Sequence, residues 1–197
     1  MRRLLLAVLT APLLAVSSAS AQESAIDNVR ETSGATFRIS AFSGKPVPRF
    51  ESLKYTAVHG RTGPSLDYPI AWRYERQGLP VLIVKESRDW RMVRDPSGDE
   101  VWMHERTLGG RPSVMVFGDD LAELKAQPKA DGRVLARIEQ GAIANLIRCE
   151  DAFCEVFLDR RKGWIPRNRL WGAPGTSPKA LDLQHIAENT ADSVVSR

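Results

Sequence analysis

Between Phe50 and Trp171 the apolar residues come in short runs, such as VLIV at 81–84, ANLI at 144–147 and CEVF at 154–157. Turn chemistry breaks each run: Gly63-Pro64, the stretch Asp95-Pro96-Ser97-Gly98-Asp99, and Asp159 to Gly163. No helical periodicity extends beyond a turn or two in this span. Short, evenly spaced strands of this kind predict a small antiparallel barrel.

The pattern occurs twice. Gln77-Gly78 and Gln140-Gly141 each open an apolar run and lie 63 positions apart, and Trp90 and Phe153 keep that offset. One residue is then lost in a turn, so that Trp102-Met103 matches Trp164-Ile165 and Arg106-Thr107-Leu108 matches Asn168-Arg169-Leu170 at an offset of 62. The chain is therefore expected to be all-β, with two tandem barrels at 50–110 and 111–172. A barrel of about 60 residues is marginal alone, so packing of the copies against each other is an expected source of stability.

The flanks lack the pattern. Residues 22–49 mix Ser, Gly, Thr and charges, and residues 173–197 hold few large apolar side chains, so both read as linkers or disordered tails. The first 21 residues differ again: Arg2 and Arg3 precede an apolar run from Leu4 to Val16, closed by Ala19-Ser20-Ala21. That is the anatomy of a secretory signal peptide, with cleavage expected after Ala21 and the periplasm as destination. Its apolar run is too short to span a bilayer.

Loss of that segment leaves 26 basic against 24 acidic residues, a net charge of +2, which gives little reason to expect a nucleic-acid partner. The local excess is at Arg160, Arg161, Lys162, Arg167 and Arg169, a stretch without an acid. It is either a solvated turn and strand or a contact for an anionic polymer. Export also bears on Cys149 and Cys154, which bracket four residues between strand-like runs. In an oxidising compartment they are expected to form a disulfide across a hairpin, contributing about 2 kcal/mol. Two free buried thiols are the alternative, whereas a zinc site lacks its remaining ligands.

The run PRFESLKYTAVHGRTGPSLDYPIAWRYERQGLPVLIVKESRDWRMVRDPSGDEVWMH, with a second copy ending in CEDAFCEVF, GWIP and RLWG, resembles the exported bacterial Src homology 3 (SH3)-like domain proteins, in their tandem proteobacterial form. Arg-x-Gly-Pro-x-x-x-Tyr-Pro and the closing Trp-Ile-Pro and Arg-Leu-Trp-Gly elements carry it, over approximately Pro48 to Gly172. The chain departs from the family at His59-Gly60-Arg61, commonly Asn-Val-Arg, and at Val101-Trp102, commonly Gly-Trp. The resemblance implies five-stranded SH3-like barrels and a binding role in the envelope, against cell-wall material or peptides, without established reaction chemistry.

The stretch HGRTGPSLDYPIAWRY is the place to look for a ligand contact. It is no phosphate loop, because no Gly-Lys-Ser/Thr follows its glycines. Gly63-Pro64 instead reads as a turn in the long first loop of a barrel, glycine supplying backbone freedom. Tyr68, Trp72 and Trp90 are candidate stacking faces for a sugar or a peptide. Arg61, Arg160, Arg161 and Arg167 are candidates for pairing with ligand carboxylates. Trp102 and Trp164 sit at equivalent strand starts and are expected to pack, while Trp171 is expected to cap the second barrel. His59, His104 and His185 lack metal-ligand spacing, and Ser65 lacks a nucleophile elbow. The expectation is a non-enzyme without cofactor or metal whose partner is peptidoglycan or an envelope protein or peptide. A structural docking subunit of an envelope assembly and an unrecognised wall hydrolase are the alternatives.

Overall fold

The computed structural model describes residues 30–32 and 35–175. The expected signal peptide, its cleavage site and positions 176–197 of the expected tail lie outside them. Sixteen strands and two short 3-10 turns make up the described chain.

A three-stranded antiparallel sheet comes first, with β1 (Arg30–Thr32), β2 (Ala35–Ile39) and β3 (Pro46–Val47). The first barrel holds β4 (Arg49–Ser52), β5 (Val58–Arg61), β6 (Ile70–Tyr74), β7 (Pro80–Ser87), β8 (Trp90–Arg94) and β9 (Glu100–His104). The turn Glu105–Thr107 closes it. The second has β10 (Ser113–Val116), β11 (Ala122–Lys125), β12 (Val134–Ile138), β13 (Ile143–Glu150), β14 (Phe153–Leu158), β15 (Arg161–Pro166), the turn Arg167–Arg169 and β16 (Leu170–Trp171). The strands run β4-β7-β8-β9-β5-β6 in one sheet and β12-β11-β15-β14-β13-β10-β16 in the other.

The repeat is visible in the register. A bulge interrupts β7 between Ile83 and Lys85, and its counterpart interrupts β13 between Leu146 and Arg148. Another pair lies opposite Gly60/Arg61 and Leu124/Lys125, where Ala71 of β6 and Leu135 of β12 are the extra residues. Bulges bend a strand and raise its twist, which lets so short a sheet curl onto itself. Arg61 and Lys125 stand across from these equivalent bulges, and each pairs on its other side with a tryptophan, Trp102 and Trp164.

Strand alternation fills each interior. Val81, Ile83, Val93, Val101 and Met103 line the first core, and Val114, Leu124, Val156, Ile165 and Leu170 the second. Trp102 and Trp164 are also buried, on strand positions that alternate with the core residues. Cys149 and Cys154 are paired directly across β13 and β14 and joined by a disulfide, with Cα atoms 4.0 Å apart.

Two expectations for the flanks are corrected. The described part of 22–49 is not a linker: Val47 is buried in the first core, and Ser40 donates to the carboxylate of Glu86. Arg49 Nη1 lies 2.6 Å from the same carboxylate, and Arg91 Nε lies 3.2 Å from it. These partners are far along the chain, so local composition carries no trace of them. Ala173, assigned to the tail, is fully buried in the second core.

The barrels share a junction. Ser52 and Ser113 join their hydroxyls at 2.7 Å, and Arg76 Nη2 donates to the Gly141 carbonyl at 2.7 Å. The indole of Trp171 meets Phe50 edge-on at 5.2 Å and donates from Nε1 to the Pro80 carbonyl at 2.9 Å. Trp171 therefore seals the contact with the first barrel, whereas the sequence suggested a cap on its own.

Candidate functional site

The β5–β6 hairpin gathers three of the sequence candidates, Arg61, Tyr68 and Trp72. Arg61 ends β5 across from the bulge of β6 and donates from Nη1 to the Tyr68 carbonyl at 2.6 Å, tying the loop back to its stem. At the loop tip, Ser65 Oγ donates to Asp67 Oδ2 at 2.9 Å and accepts from the Asp67 amide, a local turn that stiffens the connection.

Gly63 has a different role from the one its sequence context suggests. Its φ is not in the left-handed region; a Cβ there would stand 2.3 Å from Cδ1 of Tyr68. The glycine makes room for the Tyr68 ring to lie on the backbone. Tyr68 nevertheless stays 46% exposed, beside Leu66 at 64%, Ile70 at 47% and Trp72 at 53%. Ile70 and Trp72 lie on β6, the edge strand of the first sheet, but Trp72 stands opposite Gly60 and Ile70 opposite Arg61, so the extra residue Ala71 breaks the alternation between them. In β12, the matching edge strand, Leu135, Ala136 and Ile138 instead pack against their core. The two copies thus differ at one paired position, the exposed Trp72 against the packed Ala136, while Ile70 and its counterpart Val134, 40% exposed, are open in both. Leu66 and Ile70 escaped the sequence reading, and only their spacing from Tyr68 and Trp72 in the sequence signals them.

The other candidates do not join this hairpin in one cluster. Trp90 is half-buried on β8 and stacks edge-on with His104 at 5.4 Å, while His104 Nδ1 accepts from the Arg106 amide at 3.3 Å. Phe153 and Pro166 oppose each other at the corresponding place in the second barrel. Arg160 stands in the turn before β15 with φ +62°, and Arg161 opens that strand, reaching the Leu135 carbonyl at 3.2 Å. Arg167 follows the far end of the same six-residue strand, about 20 Å away at the rise of an extended chain. The basic stretch is therefore divided between the two ends of β15. Lys162 is also engaged, 3.0 Å from Glu155, and Arg169 donates to the carbonyls of Phe117 and Asp120. Arg167 Nε is buried without a partner among the described residues.

Charged groups elsewhere serve the framework. Burial alone would raise the Glu86 carboxyl, yet hydrogen bonds from Ser40, Ser43 and Arg49 outweigh it and hold the group below its ordinary range. Glu155 follows the same logic between Arg148 and Lys162. Arg148 also lies over the Trp164 ring at 5.1 Å, so the outer face of the second barrel is a closed ionic and aromatic cluster. Burial, then the adjacent Asp95 carboxylate, pushes the Tyr74 hydroxyl far above its usual range, and it donates to Asp95 Oδ2 at 2.9 Å.

No group of three or more metal-ligating side chains occurs among the described residues, and no described helix is long and apolar enough to cross a membrane. The arrangement offers stacking surface, a guanidinium and an unpaired strand edge, which suits binding.

Comparison with known proteins agrees at the level of fold. No curated protein matches the chain. Two solved structures are similar: NlpC2 from Trichomonas vaginalis, 14% identical with a TM-score of 0.29 over 64% of this chain and 48% of that one, and NlpC1 from the same organism, 14% identical with a TM-score of 0.28 over 67% and 48%. The matches thus span about half the length of each relative. The bacterial SH3 domain family matches twice, over residues 54–110 and 119–172, more than half of the chain. With two antiparallel barrels in the same order, this chain belongs to the bacterial SH3 domain family.

Proposed function

We propose that the chain is a non-catalytic binding module of the periplasm that holds an extended envelope ligand, peptidoglycan or a peptide segment, against the β5–β6 hairpin of its first barrel. The observation that carries this reading is the exposed apolar group formed by Leu66 and Tyr68 in the loop and Ile70 and Trp72 on the edge strand β6, with Trp72 standing where the second barrel has the packed Ala136. Rings held in this way supply stacking area at low entropic cost. Arg61 spends one donor on the loop and has further donors on the same fork for a ligand carboxylate. Arg160 and Arg161 at one end of β15 and Arg167 at the other would contribute charge to a long polymer but cannot clamp a single group. Trp90 sits apart, half-covered by His104.

The test is pelleting of the mature protein with isolated peptidoglycan sacculi across a salt series. Saturable retention that weakens with salt and is lost in Trp72→Ala supports a wall ligand. Absence of retention at low salt ends that ligand and favours docking onto an envelope protein, the alternative that uses the same apolar group. Release of muropeptides during the incubation would overturn the non-catalytic reading.

A further inference from the structure

The junction of the barrels contains a cleft of about 410 Å³, walled by Pro48, Phe50, Leu82, Pro112, Leu146 and Pro174. That volume is in the range of ligand sites, and domain junctions are a usual place for them. One wall is β4, the end strand of the first sheet, which pairs with β7 on one side only. Its outer edge is met at Leu53 by Leu108 and at Lys54 by the Thr107 carbonyl. Gly109 and Gly110, with φ of +105° and +89°, then turn the chain away. A strand bonded on one side directs alternate N–H and C=O groups to the other, so the outer edge of Arg49–Ser52 opens onto the cleft.

The second copy shows what that edge accepts. There the outer side of β10 carries a strand, β16, with Leu170 opposite Val116 and Trp171 opposite Met115. Leu108 and Leu53 repeat the first of these pairs, but where Trp171 would follow the first copy has Gly109. The pairing stops one step earlier, and the cleft begins there.

The charges along this wall are already neutralised. Arg49 is held by Glu51 at 2.9 Å and by Glu86, and Glu51 also faces Lys45 at 3.6 Å. On the floor, Ser113 donates to the Gly78 carbonyl, which makes Ser52 the donor in the Ser52–Ser113 bond and leaves the Ser52 oxygen as an acceptor. The site therefore matches an uncharged backbone with apolar side chains.

We infer that the cleft between the barrels binds an extended, uncharged, apolar peptide segment, which adds as a strand to the outer edge of β4. This site is separate from the β5–β6 hairpin and stands or falls independently of it. The probe is the blocked peptide acetyl-Thr-Leu-Thr-Val-Thr-Leu-amide, titrated into the mature protein while backbone amides are followed by NMR. Expected are saturable shifts at Phe50–Ser52, Gly109, Gly110 and Leu146, at least a tenfold loss of affinity when alternate peptide nitrogens are methylated, and loss of the shifts in Leu146→Trp, which fills the cleft. Trp72→Ala should leave them unchanged. Equal binding of the methylated peptide overturns strand addition; no saturable shift at these amides, or shifts confined to Tyr68 and Trp72, overturns the site.

Discussion

The indole Nε1 of Trp171, in the last strand of the second barrel, donates to the carbonyl of Pro80, the first residue of β7 in the first barrel, at 2.9 Å in a buried setting. Such a bond cannot be exchanged for water without opening the junction. Trp171→Phe keeps the ring against Phe50 but strands the carbonyl, and is expected to cost about 1–2 kcal/mol. Trp171→Ala also removes the buried ring and is expected to cost about 3–5 kcal/mol. Calorimetry should show one cooperative transition in the parent and two separated ones in the Ala variant; a single transition in both would mean that the barrels are coupled through other contacts.

Trp72 and Trp102 test the division between surface and framework. Trp72 is 53% exposed, so Trp72→Ala should change stability by less than about 0.5 kcal/mol while reducing retention on sacculi. Trp102 is 7% exposed, and Trp102→Ala should cost about 3–5 kcal/mol. Denaturant midpoints of the two variants, measured beside sacculus pelleting, check both directions. A Trp72→Ala protein as unstable as Trp102→Ala would assign that ring to the framework.

How far the sequence showed this architecture depends on the range of the interactions involved. The two copies were legible because turns and strand alternation are local, and the matching bulges at Ile83/Lys85 and Leu146/Arg148 keep the spacing of the sequence repeat. The sheet at 30–47 was not, since its ties run from Ser40 and Arg49 to Glu86. The basic stretch looked like one patch because sequence distance ignores the extension of β15, which carries Arg161 and Arg167 apart. Tyr68 was legible as a loop aromatic, whereas Trp72, also read into the loop, lies on the edge strand β6; their isolation from Trp90 follows from sheet order, which no local pattern encodes.

Gly63 and Tyr68 make a coupled pair. A methyl group at position 63 would overlap the Tyr68 ring, but the ring is half-exposed and free to swing outward. Gly63→Ala is accordingly expected to cost less than about 1 kcal/mol in stability and to weaken ligand retention by displacing the ring. In a Tyr68→Ala background it should have no further effect on retention. A double-mutant cycle measures this coupling, and additive losses would show that Gly63 acts on the ligand by some other route.

Glu86 makes stability depend on pH in a definite direction. Its side chain is 1% exposed and salt-bridged to Arg49 and Arg91; burial alone would raise its titration, but hydrogen bonds from Ser40, Ser43 and Arg49 outweigh it and keep the folded-state titration below the ordinary value of 4.5. Above that value the carboxyl is charged in both folded and unfolded chains, and the network contributes in full. As pH falls, the unfolded chain takes up the proton first, so stability is lost from about 4.5 down through the folded-state value. Glu86→Gln leaves two guanidinium groups short of one partner and is expected to cost about 3 kcal/mol at neutral pH. The deficit should shrink as the parent is acidified, because the parent loses there what the variant never had. Urea unfolding of both proteins from pH 7 to pH 3 reads this directly, and a difference that stays constant over the range would remove Glu86 from the acid transition.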